Sequence, residues 1–230
     1  MSGGNYYVGL ESINLRMNSG KVVAILGLSG ADKSTLLRVI TGLLKPTSGE
    51  IYYDGKPQVG VNGKMAMVFQ NFAFPRKTVS ENIALGINEH IDPKKKKMVA
   101  HVIDMIGLEG FEDVYPREIS GGMEQRVGFA RVIVSKPEIL CMDEPFSALD
   151  ALTSENLREE ILDIWSNGNA GLSNIIVTHN INEAVYMADD IVILTSNPGS
   201  VRAIYHNTLS FSRDQNQLLF SKLSISYTTC

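Results

Sequence analysis

Lys33, Ser34 and Thr35 close a short turn, Gly27-Leu28-Ser29-Gly30-Ala31-Asp32, and the helical run Leu36-Leu37-Arg38-Val39-Ile40 follows at once. Between a strand and a helix, such a turn can aim its backbone N–H groups at a phosphate, with the positive end of the helix behind them. Lys33 then reaches the outer phosphates, and the Ser34 hydroxyl is placed to ligate a divalent cation. The candidate phosphate-binding set is Gly27, Ser29, Gly30, Ala31, Asp32, Lys33, Ser34 and Thr35. Asp32 departs from the pattern G-x-x-x-x-G-K-[ST], which asks for glycine at that position. A carboxylate facing the phosphates from ~5 Å costs about 3 kcal/mol at an effective dielectric of 20. That corresponds to roughly a hundredfold in affinity, only partly offset by Lys33 and a bound cation.

A second group of residues suits phosphoryl transfer to water. Ile139-Leu140-Cys141-Met142 delivers the adjacent carboxylates Asp143 and Glu144 at the end of an apolar run. One carboxylate can hold a metal ion while the other positions or deprotonates the attacking water, which assigns Asp143 to the first role and Glu144 to the second. Ser147-Ala148-Leu149-Asp150 follows, and upstream Ser120, Gly121 and Gly122 open a helix whose exposed N-terminus can meet an anion. Gln70 ends the run Met65–Phe69 and His179 ends the run Asn174–Thr178. Singly, each of these is an ordinary strand end or helix cap; their joint order is what carries meaning.

These residues need strands to deliver them and helices to receive them. Lys21–Leu26, Met65–Phe69, Ile139–Met142, Asn174–Thr178 and Ile191–Leu194 are buried strand-like runs of the type used by parallel sheets, and Ile13–Met17 alternates apolar with polar. Thr78-Val79-Ser80-Glu81 and Asn180-Ile181-Asn182-Glu183 carry capping-box spacing, and Asp92-Pro93 sets a cap before a proline at the first helical position. The spacing predicts an α/β fold with a helical subdomain inserted over about residues 78–135. Leu157, Ile161, Leu162 and Trp165 lie at helical spacing and are expected in the core, whereas Lys94–Lys97 are expected on a solvated face. At 230 residues the chain can bury a substantial core, and its 44% apolar and 20% charged composition excludes disorder. A net charge of −4 argues against a nucleic-acid partner wrapped on a basic surface. Two cysteines, Cys141 and Cys230, do not suit a disulfide-stapled secreted scaffold. No stretch reaches the ~18 apolar residues of a membrane helix, and Met1–Leu10 has neither the basic nor the apolar region of an export signal, so a chain that is not exported is expected.

Taken together, the motifs resemble those of the nucleotide-binding subunit of an ABC transporter, over residues 10 to 206. The resemblance implies a P-loop NTPase fold of ABC type: a mixed sheet around the P-loop helix, with an inserted α-helical subdomain. It places the P-loop at Gly27–Thr35, the Q-loop glutamine at Gln70, the signature motif at Ile119–Gln125, Walker B at Ile139–Glu144, the D-loop at Ser147–Asp150 and the switch histidine at His179. The implied ligands are ATP and Mg2+, the metal held by Ser34, Gln70 and Asp143, with Glu144, His179 and Gln70 serving catalysis. Two copies would pack head to tail, so that Ser120, Gly121, Gly122 and Asp150 of one meet the nucleotide of the other. Permease subunits would dock near Phe72–Pro75, a solute-binding protein would take part indirectly, and the chain would sit at the cytoplasmic face of the membrane. The segments Glu109–Asp113, Val127–Arg131 and Thr178–Ile181 further resemble the subgroup importing nitrate, sulfonates and taurine.

Against that pattern the chain shows several departures. Besides Asp32, the signature has Ile119 and Glu124, and Arg76-Lys77 replaces an apolar pair in the docking loop. Tyr6 and Tyr7 are the aromatics available to stack on adenine. The expected organisation is one nucleotide-binding domain over residues 1–206 and a tail over 207–230, with both ends curtailed. The competing reading is an ABC subunit that Asp32 has deprived of nucleotide and that acts as a nonenzymatic partner.

Overall fold

The computed structural model describes residues 7–69, 74–87, 93–147, 149–168 and 172–207, the side chains of residues 160 and 163–168 excepted. In chain order the elements are β1 (Val22–Leu26), α1 (Lys33–Ile40), β2 (Tyr52–Tyr53), β3 (Lys56–Pro57), β4 (Met65–Val68), α2 (Val79–Ala84) and α3 (Pro93–Met105). There follow α4 (Gly121–Ile133), β5 (Ile139–Asp143), α5 (Ala151–Gly168), β6 (Ser173–Thr178), α6 (Ile181–Met187), β7 (Asp190–Leu194) and β8 (Val201–His206). They fall into two compact units, one from Met1–Asn62 with Ser173–Cys230 and the other from Gly63–Leu172.

In the first unit β1 lies between β6 and β7, parallel to both, and β8 pairs antiparallel with β7, so the sheet is mixed. Every residue of β1 and β6 is buried, which is why β1 and the Ile175–Val177 centre of β6 read as apolar runs rather than alternations. The register sets Leu26 against Thr178 on one side and Ile193 on the other. Gly27 and His179 therefore leave the sheet at the same level, on the carboxyl side of the strands where open α/β sheets bind ligands. Asp189 fixes the opposite end of β1 by accepting the Val22 N–H at 3.0 Å. β2 and β3 form a small hairpin closed by Asp54-Gly55, both with positive φ (49° and 71°), the conformation two-residue hairpin turns demand.

The second unit holds the parallel pair β4 and β5, with Val68 opposite Met142. Between β4 and β5 the described residues form α2, a single 3-10 turn at Pro116–Glu118, α3 and α4, and no strand. The Thr78 capping box is present: Thr78 Oγ1 accepts from Glu81 N, and Glu81 Oε2 accepts from Thr78 N at 2.9 Å. Backbone meets backbone where α2 ends, since a β-carbon on Gly86 would lie 1.9 Å from the Arg131 carbonyl of α4.

Three expectations are corrected. Ile13–Met17 forms no strand; Ile13 and Met17 are only half-buried, and alternation without a pairing partner does not make a ladder. Asn180 and Glu183 do not form a capping box: Asn180 caps the Asn182 N–H, while Glu183 turns inward to Thr178. Lys95 is buried, unlike Lys94, Lys96 and Lys97, because α3 puts it on one face with Val99, Val102 and Ile103. β8, β2 and β3 were not anticipated. Leu157, Ile161 and Leu162 are buried as expected, whereas the Trp165 side chain, Cys230, Asp92 and the segment from residue 208 lie outside the described residues.

Candidate functional site

The candidate phosphate loop leaves β1 at Gly27, where a β-carbon would crowd Ala31 at 3.1 Å and the Leu194 carbonyl at 3.3 Å. Ala31 is fully buried under the loop. Lys33, 6% exposed, folds back across the turn and donates to Gly27 O at 2.8 Å and Leu28 O at 3.0 Å. Its ammonium thus already sits on the loop's carbonyls, ready to exchange them for an anion. Ser34 and Thr35 occupy the first turn of α1, and that turn contains no acidic residue.

Asp32 occupies the N-cap position of α1 in the left-handed conformation, φ 53° and ψ 30°, without a side-chain capping bond. The glycine preference at this position thus has a backbone origin as well as an electrostatic one, and aspartate is among the residues that tolerate the conformation best. The sequence reading aims this carboxylate at the phosphates. In the structure both oxygens are engaged elsewhere: Oδ1 accepts the Thr35 hydroxyl at 3.1 Å and Oδ2 accepts the Tyr7 hydroxyl at 2.8 Å. The Asp32 hydrogen bond is the main reason the Tyr7 phenol is held above its usual pKa, with burial and the negative charge adding to it. The Tyr7 ring itself is 70% exposed, and Tyr6 lies outside the described residues.

His179 is exposed beyond the end of β6, between two anchored neighbours. Thr178, buried, donates to Glu183 Oε2 at 2.6 Å and accepts from Asn180 N at 3.0 Å; Asn180 Nδ2 reaches Glu183 Oε1 at 3.4 Å. The buried Glu183 carboxylate, singled out in the sequence only as part of a helix cap, thereby fixes the peptide on both sides of His179.

In the second unit Asp143 ends β5 at 6% exposure. Glu144 follows with φ 46°, a left-handed conformation that a side chain of this size rarely adopts. Its carbonyl accepts from Ser147 N at 3.2 Å and Ser147 Oγ at 2.9 Å, and buried Phe146 anchors the same turn. Asp150 caps the first turn of α5: Oδ2 accepts the Thr153 hydroxyl at 2.6 Å and Oδ1 the Thr153 N–H at 3.0 Å. These bonds, the hydroxyl's first, hold its carboxyl below the usual carboxylate range. Thr153 in turn packs on Gly122, whose β-carbon would lie 2.9 Å from its Cγ2. Ser120 caps α4 by accepting Met123 N at 3.3 Å. Ser120, Gly122, Arg126, Thr153 and Asn156 line a cavity of about 220 Å³. Gln70 and Phe72 lie outside the described residues; Phe74 stacks under the Arg131 guanidinium at 5.3 Å, where burial lowers the Arg131 pKa.

The ABC transporter family profile matches residues 10–147. An uncharacterized ABC transporter ATP-binding protein of Methanocaldococcus jannaschii is 41% identical over 220 residues, covering 94% of this chain and 82% of that protein. The chain belongs to the ABC transporter family, as an ATP-binding domain. Similar relatives of this ABC domain include the aliphatic sulfonates import ATP-binding protein SsuB of Bacillus anthracis, 40% identical over 93% of this chain and 84% of its own length. The nitrate import ATP-binding protein NrtD of Synechocystis sp. is 40% identical over 85% and 74%. Among solved structures, cbiO1 from Clostridium perfringens, part of an ABC transporter complex, superposes with a TM-score of 0.80 at 25% identity, covering 96% of this chain and 90% of that one. A dimeric ATP-binding cassette in a post-hydrolysis state with ADP and Pi gives 0.74 at 28% identity, covering 91% and 96%. The fold is the α/β P-loop NTPase fold of ABC cassettes. No helix among the described residues is long and apolar enough to cross a membrane.

No group of three His, Cys, Asp or Glu side chains among the described residues forms a ready cation cage. A Mg2+ ion usually takes one or two protein groups and completes its shell with substrate phosphates and water. Ser34 and Asp143 offer oxygen donors of the right type.

Proposed function

We propose that this chain binds and hydrolyses ATP to drive an ABC importer of small anions of the sulfonate or nitrate type. The observation that carries the reading is the β1–loop–α1 unit with Lys33 folded onto the Gly27 and Leu28 carbonyls, opening beside His179 in sheet register. The relatives named for sulfonate and nitrate import support the solute class.

On nucleotide binding, Lys33 would exchange the two carbonyls for phosphate oxygens, while the loop N–H groups of Gly30 to Thr35 and the N-terminus of α1 supply the remaining positive potential. Ser34, Asp143 and Gln70 would hold Mg2+, which neutralises charge on the phosphates. Glu144 would accept a proton from the attacking water as its oxygen bonds to the γ-phosphorus, and the bond to the ADP oxygen breaks in line. His179, on the peptide fixed by Thr178, Asn180 and Glu183, would orient that water and the γ-phosphate. A second copy, packed head to tail, would present Ser120, Gly121, Gly122 and Asp150 to the same nucleotide. The dimeric cassette among the structural neighbours supports this arrangement. Permease subunits at the cytoplasmic face would dock at the loop containing Phe72–Pro75. Asp32 is the observation favouring the alternative, a nonenzymatic ABC subunit.

Turnover of MgATP by the purified protein, compared with Glu144→Gln, tests the reading. Hydrolysis should vanish in the variant while ATP binding and an ATP-dependent dimer persist; a folded protein that binds no nucleotide in either form sinks it.

A further inference from the structure

We propose that Tyr7 is a positioning residue for nucleotide binding, holding the Asp32 carboxylate out of the phosphate site; this rests on the ATP-binding reading above. Aspartate before the lysine of a phosphate loop is tolerable only if its charge is directed elsewhere. Both carboxylate oxygens are accounted for, one by the Thr35 hydroxyl and one by the Tyr7 hydroxyl. Gly9 closes the third side of this niche: a β-carbon there would lie 3.1 Å from Oδ2, so the backbone itself packs against the carboxylate.

The segment bearing Tyr7 is anchored. Gly9 O accepts from Gly199 N at 2.8 Å, and Glu11 N donates to Gly199 O at 2.9 Å, which ties residues 9–11 to the turn between β7 and β8. Tyr7, 70% exposed, gains little from packing, so its hydroxyl bond to Asp32 is the contact with a consequence. A tyrosine phenol is protonated at neutral pH, and so the Tyr7 hydroxyl donates to the Asp32 carboxylate. Losing the hydroxyl frees Oδ2, leaving a carboxylate at the mouth of the anion site with one tether in place of two.

A double-mutant cycle on nucleotide affinity tests this, using the full chain, Tyr7→Phe, Asp32→Gly and the double variant, each first shown to be folded by thermal unfolding. Phenylalanine keeps the ring and deletes only the donor. With Asp32 present, Tyr7→Phe should weaken MgATP binding tenfold or more and weaken AMP less, because the penalty grows with phosphate charge. With glycine at 32, the same change should leave affinity unaltered. Equal ATP affinity for the full chain and Tyr7→Phe, or the same loss in both backgrounds, overturns the proposal while leaving ATP binding standing. Failure of all four proteins to bind overturns the ATP-binding reading and this one with it.

Discussion

Gly199 lies far along the chain from the phosphate loop, yet a methyl group there should damage the loop. A β-carbon on Gly199 would lie 2.6 Å from the Ala31 carbonyl, 2.9 Å from Leu10 Cδ2 and 3.3 Å from the Gly9 carbonyl. The Leu10 tip can rotate away. Ala31 O is backbone, and its residue is fully buried between Gly30 and Asp32, so the loop itself has to move. Ordinary contact begins near 3.4 Å, so the two backbones must part by about 0.8 Å. Overpacking of this kind costs about 1–3 kcal/mol, which for a chain of this length lowers Tm by roughly 2–4 °C per kcal/mol. Displacements near 1 Å in a site built on aimed N–H groups can cost up to about a hundredfold, so a loss of about tenfold in MgATP affinity is expected. Thermal unfolding and a nucleotide titration of Gly199→Ala measure both quantities. Gly63→Ala, where the added carbon meets nothing within 4 Å, is the control and should stay within about 0.5 kcal/mol. A lower Tm with unchanged affinity would refute transmission through Ala31; no change in either would refute the packing geometry.

Gly86→Ala forces a carbon to within 1.9 Å of the Arg131 carbonyl and 2.6 Å of Val134 Cγ1, and should lower stability by about 3 kcal/mol in chemical denaturation. Ser120→Ala removes the α4 cap and should cost about 1 kcal/mol, with Ser120→Thr recovering most of it. Burial pushes the Cys141 thiol up to about 12. The unfolded chain then releases its proton at lower pH than the folded one, so this group's contribution is complete below the unfolded pKa and is lost as pH rises from about 9 toward 12. Denaturation of the wild type across pH 8–10.5 should show that decline, flattened in Cys141→Ala, and the thiol should resist alkylation until the protein unfolds.

How far the sequence could be read depended on whether the deciding partner was local. β1 and the Ile175–Val177 centre of β6 were legible because strands covered on both faces carry unbroken apolar runs, and the Thr78 and Ser120 caps because donor and acceptor lie three residues apart. Lys95 was misread although its spacing to Val99, Val102 and Ile103 was present, because the run of four lysines looked uniform. Asp54-Gly55 was a usable hairpin signal between strands too short to notice. Asp32 was the hardest case. Its charge was visible, but the hydroxyl that takes up one oxygen comes from Tyr7, 25 residues upstream, and no local pattern reports that pairing. Glu183 was similar, with spacing that suits a cap and a buried threonine that draws it inward instead.

The left-handed backbone at Glu144 bears on how an inactive form should be chosen. Glutamine at that position inherits the same torsional cost, of order 1–3 kcal/mol for a non-glycine residue. Asparagine relaxes it while deleting the carboxylate, and glycine relaxes it further at the cost of a more flexible unfolded chain. If Glu144 has the role proposed for it, Glu144→Gln is the better inactive form, because it deletes the carboxylate and keeps the backbone strain, whereas Glu144→Asn changes both at once.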